Sequence, residues 1–165
     1  MNQQPKPNII RFIEESASEE VHLVLRGHLH LEALLNEIIR RSFAYPSAIT
    51  DMRQSFFSKT KLLRATDRID DGEESLLLAF NSLRNKIAHQ VHFTVTFADA
   101  FSLVQTAASA NVDFSDDTIH ADRKFSEERY GLTGVLIEVI SNTFQHLIWR
   151  NESLFSKEEI SEFLG

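Results

Sequence analysis

The stretch VHLVLRGHLHLEALLNEIIRRSF, residues 21–43, decides the fold class. Val24, Leu31, Leu35 and Ile38 recur on one helical stripe, and Leu34 and Ile39 widen it. Ser18 ahead of the run is placed to cap it, with Glu19 and Glu20 in the first turn, where carboxylates suit the helix dipole. Arg40 and Arg41 close the last turn with the opposite charge, and Pro46 in AYPSAITD breaks the pattern. A long helix with one apolar face must bury that face against other elements.

Working outward, the same period recurs. NIIRFIEE, from Asn8 to Glu15, forms a short first helix carrying Ile9, Ile10, Phe12 and Ile13. A third helix fits Met52 to Ala65, with Phe56, Phe57, Leu62 and Leu63 as its apolar content. DRIDDGEE follows as a loop, and a fourth helix runs from about Glu73 to Gln90 on Leu76, Phe80, Leu83 and Ile87. TFADAFSLVQTAASA reads as a fifth helix through Phe97, Phe101 and Val104. Residues 111–127 show no helical period and many acidic groups, which predicts a long acidic surface loop. RYGLTGVLIEVISNTFQHLIWR resumes a long helix on Leu132, Leu136, Val139, Ile140, Phe144, Leu147 and Ile148. Ser156 with Glu159 makes a capping box for a last short helix ending at Leu164. The expectation is an all-α fold, a single-domain helical bundle over residues 1–165 with about six to seven helices.

Composition agrees. The 165 residues suffice for a genuine core, and 42% hydrophobic with 25% charged residues is ordinary for a soluble globular chain. Five glycines and three prolines favour long regular elements over a turn-rich β fold. With no cysteine there is neither a disulfide framework nor a thiolate metal site. The N-terminal MNQQPKPNIIRF lacks the apolar run of a signal peptide, and no segment approaches a membrane span, so a cytoplasmic protein without membrane association is expected. A net charge of −7 argues against broad attraction to nucleic acid, so RNA chemistry would need a local basic patch or a partner supplying one.

Chemistry-bearing residues gather in NSLRNKIAHQ, residues 81–90. Arg84 and His89 are five positions apart and point roughly 140° away from each other at 100° per residue. Asn85 and His89, four apart, lie nearly on one line. Both flank the apolar stripe of the fourth helix, which suits a site at the edge of a helix pair or across a dimer interface.

The run Arg84, Asn85, Lys86, Ile87, Ala88, His89 resembles the R-x4–6-H motif of the HEPN superfamily, small all-helical domains with this motif near the end of a late core helix. RGHLHLEALLNEIIRRSF, from Arg26 to Phe43, looks like the long helix preceding it in bacterial members. The resemblance covers about Val21 to Phe93 and leaves the C-terminal third unmatched. It implies RNA cleavage without metal or other cofactor, by a homodimer whose two motifs face each other. His89 would act as general acid or base on the ribose 2′-OH or the leaving oxygen; imidazole suits this because its unperturbed pKa is about 6.5. Arg84 would hold the scissile phosphate and neutralise the charge building on it. Asn85 would orient the phosphate or the histidine, and Lys86 would add local positive potential. Cleavage would leave 2′,3′-cyclic phosphate ends. A toxin or defence effector, with a cognate antitoxin or regulatory protein as partner, fits such an activity. The other reading is a non-catalytic helical regulator or nucleotide-binding interaction module that keeps the motif for shape, since fold does not dictate function.

Other features are weighed against structural roles. In RGHLHLE, His28 and Glu32 share a face while His30 points away, so this helix alone supplies no three-ligand metal site. Gly27 inside a helix costs roughly 1 kcal/mol relative to alanine, which close approach of another helix would offset. Glu32 beside the stripe needs a partner. Glu32 or Asn36 is therefore expected to meet Arg84 or His89 and orient it. Arg53, Lys59, Lys61 and Arg64 make the third helix the most basic segment, able to contact phosphate or simply to be solvated. The thirteen phenylalanines sit largely at core spacing, and His22, His92, His120 and His146 show no ligand spacing. Glu73 and Glu74 are read as first-turn carboxylates without chemistry. Neither a Gly-rich phosphate loop nor a nucleophile elbow is present.

Overall fold

Ser18 starts the first helix as its sequence implies. Its hydroxyl accepts from the Val21 N–H, and α1 runs Glu19–Ser42. This is a computed structural model that describes residues 18–50, 52–90 and 93–165. The helix expected from Asn8 to Glu15 lies outside the described residues.

Seven further α-helices follow among the described residues: α2 Pro46–Thr50, α3 Phe56–Ala65, α4 Asp71–His89, α5 Phe97–Ser109, α6 Thr118–Ala121, α7 Arg123–Arg150 and α8 Lys157–Leu164. A 3-10 turn, Glu152–Leu154, joins the last two. The chain is an all-α helical bundle. Four long helices close a ring in which α1 packs on α4, α4 on α5, α5 on α7, and α7 back on α1, while α3 covers the α1/α4 edge. Leu31, Leu35 and Ile38 of α1, Leu76, Leu77 and Phe80 of α4, Val104 of α5, and Leu136, Val139 and Ile148 of α7 fill the shared core. Each such side chain contributes roughly 1.5–3 kcal/mol through burial.

Helices α1 and α7 run parallel. Thr133 donates to Glu20, Gly27 lies against Ile140, and Arg41 donates to the Leu154 carbonyl, so the register is constant along the pair. Gly27 is what permits the approach: a Cβ there would stand 2.7 Å from Ile140 Cδ1. Helix α4 runs the other way, since Asn81 meets His28 while Glu73, two turns earlier, meets His146 near the end of α7.

The structure corrects the sequence expectations at several points. The third helix is shorter than Met52 to Ala65, because Ser55 caps it by accepting from Ser58 N–H; the break at Pro46 is itself a short helix, for proline's fixed φ suits a first turn. Helix α4 begins at Asp71 rather than Glu73, because Asp70 is its N-cap and part of DRIDDGEE is its first turn. Residues 111–127 are not one long surface loop. They contain α6 and the start of α7, and they bury Val112, Phe114 and Ile119. Two of their acids are turn and cap groups: Asp116 accepts from Thr118 and from the Tyr130 hydroxyl, and Asp122 accepts from the Phe125 N–H. The long seventh helix also bends where Gly131 takes φ 63°, ψ 179°, a backbone open only to glycine at low cost.

Helix α8 is clamped by one arginine. Arg41 donates to both Glu159 oxygens at 2.6 and 2.9 Å and to Glu37 at 2.6 Å, and its guanidinium lies over Phe155. Hydrogen bonds from Arg40 and then Arg41 hold the Glu37 carboxyl at about 2, and Arg41 followed by the Ser156 N–H does the same to Glu159. Depressed carboxyls stabilise fully above their ordinary pKa of about 4.3 and lose that contribution as pH falls toward the folded value. Acidification from about pH 5 to about pH 2.5 should therefore loosen α8 first. Trp149, the single tryptophan, shares a cavity of about 460 Å³ with Ile160 and Leu164 of α8 and reports on it. Its emission should change at higher pH than far-UV ellipticity is lost; coincident transitions would contradict a locally clamped α8.

Candidate functional site

Helix α4 carries the motif and is anchored at its start. Asp70 Oδ1 accepts from the Glu73 N–H at 2.8 Å, and Glu73 Oε2 accepts from the Asp70 N–H at 2.6 Å, closing a capping box. Glu73 is only 1% exposed; its Oε1 bonds His146 Nε2 at 2.7 Å, and Arg150 Nε lies 3.8 Å from the capping oxygen Oε2. The sequence marked Glu73 as a plain first-turn acid and His146 as a scattered histidine; the fold joins them into a buried polar tie between α4 and α7.

At the far end the helix stops at His89, where the Gln90 N–H closes the last turn on the Lys86 carbonyl. His89 is exposed, and none of the described residues pairs with its ring. Arg84 is half-buried, and its Nη1 donates to Asn85 Oδ1 at 3.2 Å. Asn85 thus orients the arginine rather than the histidine. Lys86 turns toward α5, 3.8 Å from Asp99 and 5.8 Å from the Phe93 ring centroid, and lines a groove of about 260 Å³ with Ser82 and Ser102.

Neither expected contact from α1 to the motif forms. Glu32 instead accepts from Lys59 of α3 at 2.6 Å, and Asn36 opens onto a cavity with Arg53, Gln54 and Lys59. The reason is α3, which inserts a lysine beside Glu32 while Asn85 satisfies Arg84 from the adjacent position.

The α1 group that does meet the motif helix is His28. It is 5% exposed, stacks on Phe56 of α3 with centroids 4.3 Å apart, and bonds Asn81 Oδ1 through Nε2 at 3.3 Å. Burial pushes its pKa below the ordinary value; Asn81 and Glu32 oppose this, whereas the charges of Arg84 and Lys59 add to it. Arg84 is therefore close enough to help keep this imidazole neutral. A histidine depressed in the fold stabilises fully above about pH 6.5 and loses that contribution as pH falls through its folded value. Chemical unfolding should show lower stability at pH 5.5 than at 7.5, and His28→Gln should flatten the difference. An equally steep dependence in the variant would place the titration elsewhere. In sequence His28 is weighed only as a metal ligand; a polar residue one turn before Leu31 and two before Leu35 was the signal that could have marked it as a buried partner, whereas Asn81 carried none.

The four cations near α3 differ in their pairing. Lys59 binds Glu32, Lys61 binds Glu74, and Arg64 binds Asp71 at 2.6 Å. Arg53 has no such partner among the described residues. Among those residues no group of three His, Asp or Glu side chains comes together to hold a metal ion, and no helix is long and apolar enough to cross a membrane. Comparison with protein-family models, curated proteins and solved structures finds no match to this chain.

Proposed function

We propose that the chain is a metal-independent endoribonuclease of HEPN type, of the toxin or defence-effector kind, acting as a homodimer. The observation that carries this reading is the contrast on one helix: His89 stands exposed with a ring that none of the described residues pairs with, whereas Arg84 is held in place by Asn85. An uncommitted imidazole can move a proton, and a fixed guanidinium can meet a phosphate. In the reaction a base removes the 2′-OH proton, the 2′-oxygen attacks the adjacent phosphorus, and the bond to the 5′-oxygen breaks. An acid protonates that leaving oxygen, giving a 2′,3′-cyclic phosphate and a 5′-hydroxyl. His89 serves one of the two proton transfers and Arg84 neutralises the pentacoordinate phosphate.

Five residues of regular helix separate the two groups by about 7.5 Å along the axis and turn them apart. That separation suits a site completed by a second copy, although a long arginine can also swing round the helix shoulder toward the histidine of its own chain. The acidic balance of −7 favours the other reading, a non-catalytic regulator that keeps the motif for shape or nucleotide contact. Incubating the purified protein with mixed RNA in EDTA and analysing the new termini decides between them. Cleavage to cyclic phosphate ends supports the nuclease; intact RNA beside a folded dimer supports the regulator.

A further inference from the structure

Beside the motif, but not part of it, the α1/α2/α3 corner holds a cavity of about 360 Å³ lined by Asn36, Ile39, Ile49, Arg53, Gln54 and Lys59. Such a volume is at the small end for ligand pockets, which start at about 300 Å³. Three observations make it more than a gap between helices. Gln54 Oε1 is buried without a hydrogen-bond partner among the described residues, an arrangement that native interiors rarely tolerate. Arg53 is exposed and unpaired among the described residues, although the neighbouring cations of α3 are all consumed by carboxylates. Arg53 also holds a left-handed backbone, φ 45°, which non-glycine residues seldom adopt. Two isoleucines supply the apolar part of the wall.

We infer that this cavity binds a nucleoside monophosphate unit, its base against Ile39 and Ile49 and its phosphate on Arg53. The chemistry selects that class. The orphaned Gln54 oxygen asks for an N–H donor, such as a base edge offers, and the Asn36 amide supplies both a donor and an acceptor for the same edge. Arg53 asks for an anion, and a guanidinium matches phosphate geometry. Lys59 is already bound to Glu32, so its charge is spent there and the anion falls to Arg53. Arg53 and Gln54 directly precede the Ser55 cap of α3, whose helix dipole adds positive potential to the same region. The unit can come from an RNA strand or from a free mononucleotide. The strand source rests on the ribonuclease reading, whereas the free nucleotide does not.

Isothermal titration of the full chain with AMP, CMP, GMP, UMP, the matching nucleosides, inorganic phosphate and a short 2′-O-methyl RNA tests the inference. At least one monophosphate should bind about tenfold or more tightly than inorganic phosphate or its nucleoside. Arg53→Gly removes the guanidinium while suiting the left-handed backbone, so folding is retained. That variant and Gln54→Leu should each weaken nucleotide binding by about tenfold. A 2′-O-methyl RNA binding more tightly than any mononucleotide, with the same sensitivity to both variants, identifies the strand as source; equal or weaker binding identifies the free nucleotide. Binding no better than that of inorganic phosphate, or binding unaffected by both variants, overturns the inference. Nucleotide binding by a protein that leaves RNA intact would remove the ribonuclease reading and keep this one. Cleavage of RNA at unchanged rate by both variants, without nucleotide binding, would do the reverse.

Discussion

On the ribonuclease reading, His89→Ala should lower RNA cleavage by about 10²–10⁴-fold, the range that loss of a general acid or base produces. It should leave stability within about 0.5 kcal/mol, because the ring is exposed and makes no contact with described residues that folding would miss. On the same reading Arg84→Ala should remove charge neutralisation at the transition state and cost about 10²–10³-fold. Arg84→Lys should recover little of this, since an ammonium reproduces neither the planar fork nor the bond to Asn85. Asn85→Ala frees the guanidinium without removing it, so its effect should be smaller than that of Arg84→Ala. Mixing the two inactive variants adds a sharper readout. If one site draws His89 from one copy and Arg84 from the other, a mixed dimer holds one intact site, and activity partly returns. If both groups of a site come from one chain, mixing restores nothing. Full activity of His89→Ala would sink the nuclease reading and leave the regulatory module.

The parts of the fold that were legible in sequence are those whose signals are local. Helix α1 declares itself because its stripe, its serine cap and its terminal charges all lie within one run. The capping box of α8 was visible for the same reason: Ser156 and Glu159 bond reciprocally three residues apart. Acidic residues misled wherever they act as caps. Asp70 reads as part of a solvated loop, yet its carboxylate holds the first turn of α4. Asp116 and Asp122 made residues 111–127 look like an acidic tract, while Val112, Phe114 and Ile119 in the same stretch place their side chains in the core. Short helices lack enough residues for a period to emerge, which hid α2 and α6.

The candidate site divides along the same line. Arg84, Asn85 and His89 were identifiable because they share one helix and one short window. Their surroundings depend on where α3 lies, which no local pattern encodes. Glu32 was expected to reach the motif because a half-buried carboxylate needs a cation, and that physical need was read correctly. Lys59 meets it, from a helix whose approach only the tertiary structure defines. His28 and Asn81, 53 residues apart, meet through the antiparallel crossing of α1 and α4. Gly27 is the exception: its unfavourable helix propensity announced a close approach, and Ile140 makes it.

The largest stability effect outside the apolar core is expected at Glu73. Glu73→Ala should cost about 2–4 kcal/mol in urea unfolding, with an unchanged m-value. Losing the N3 partner of the capping box leaves the Asp70 N–H without its acceptor, and a lost cap alone typically costs about 1 kcal/mol. The remainder comes from the tie to α7. Breaking a fully buried pair costs about 3–5 kcal/mol, but the His146 side chain is 23% exposed, so water takes over part of its hydrogen bonding. Glu73→Gln keeps one oxygen to accept from the Asp70 N–H and turns its amide N–H toward His146 Nε2, which can accept in its other tautomer, so it should cost about half as much or less. His146→Ala leaves the carboxylate buried beside Arg150 and should fall between the two. A cost below about 0.5 kcal/mol for Glu73→Ala would mean that the network contributes no more than an exposed substitution. The motif lies more than two turns along the same rod, so these variants should lower the folded fraction without changing the cleavage rate per folded molecule. A rate loss exceeding the loss of folded protein would mean that α4 transmits its anchoring at Glu73 to the placement of Arg84 and His89.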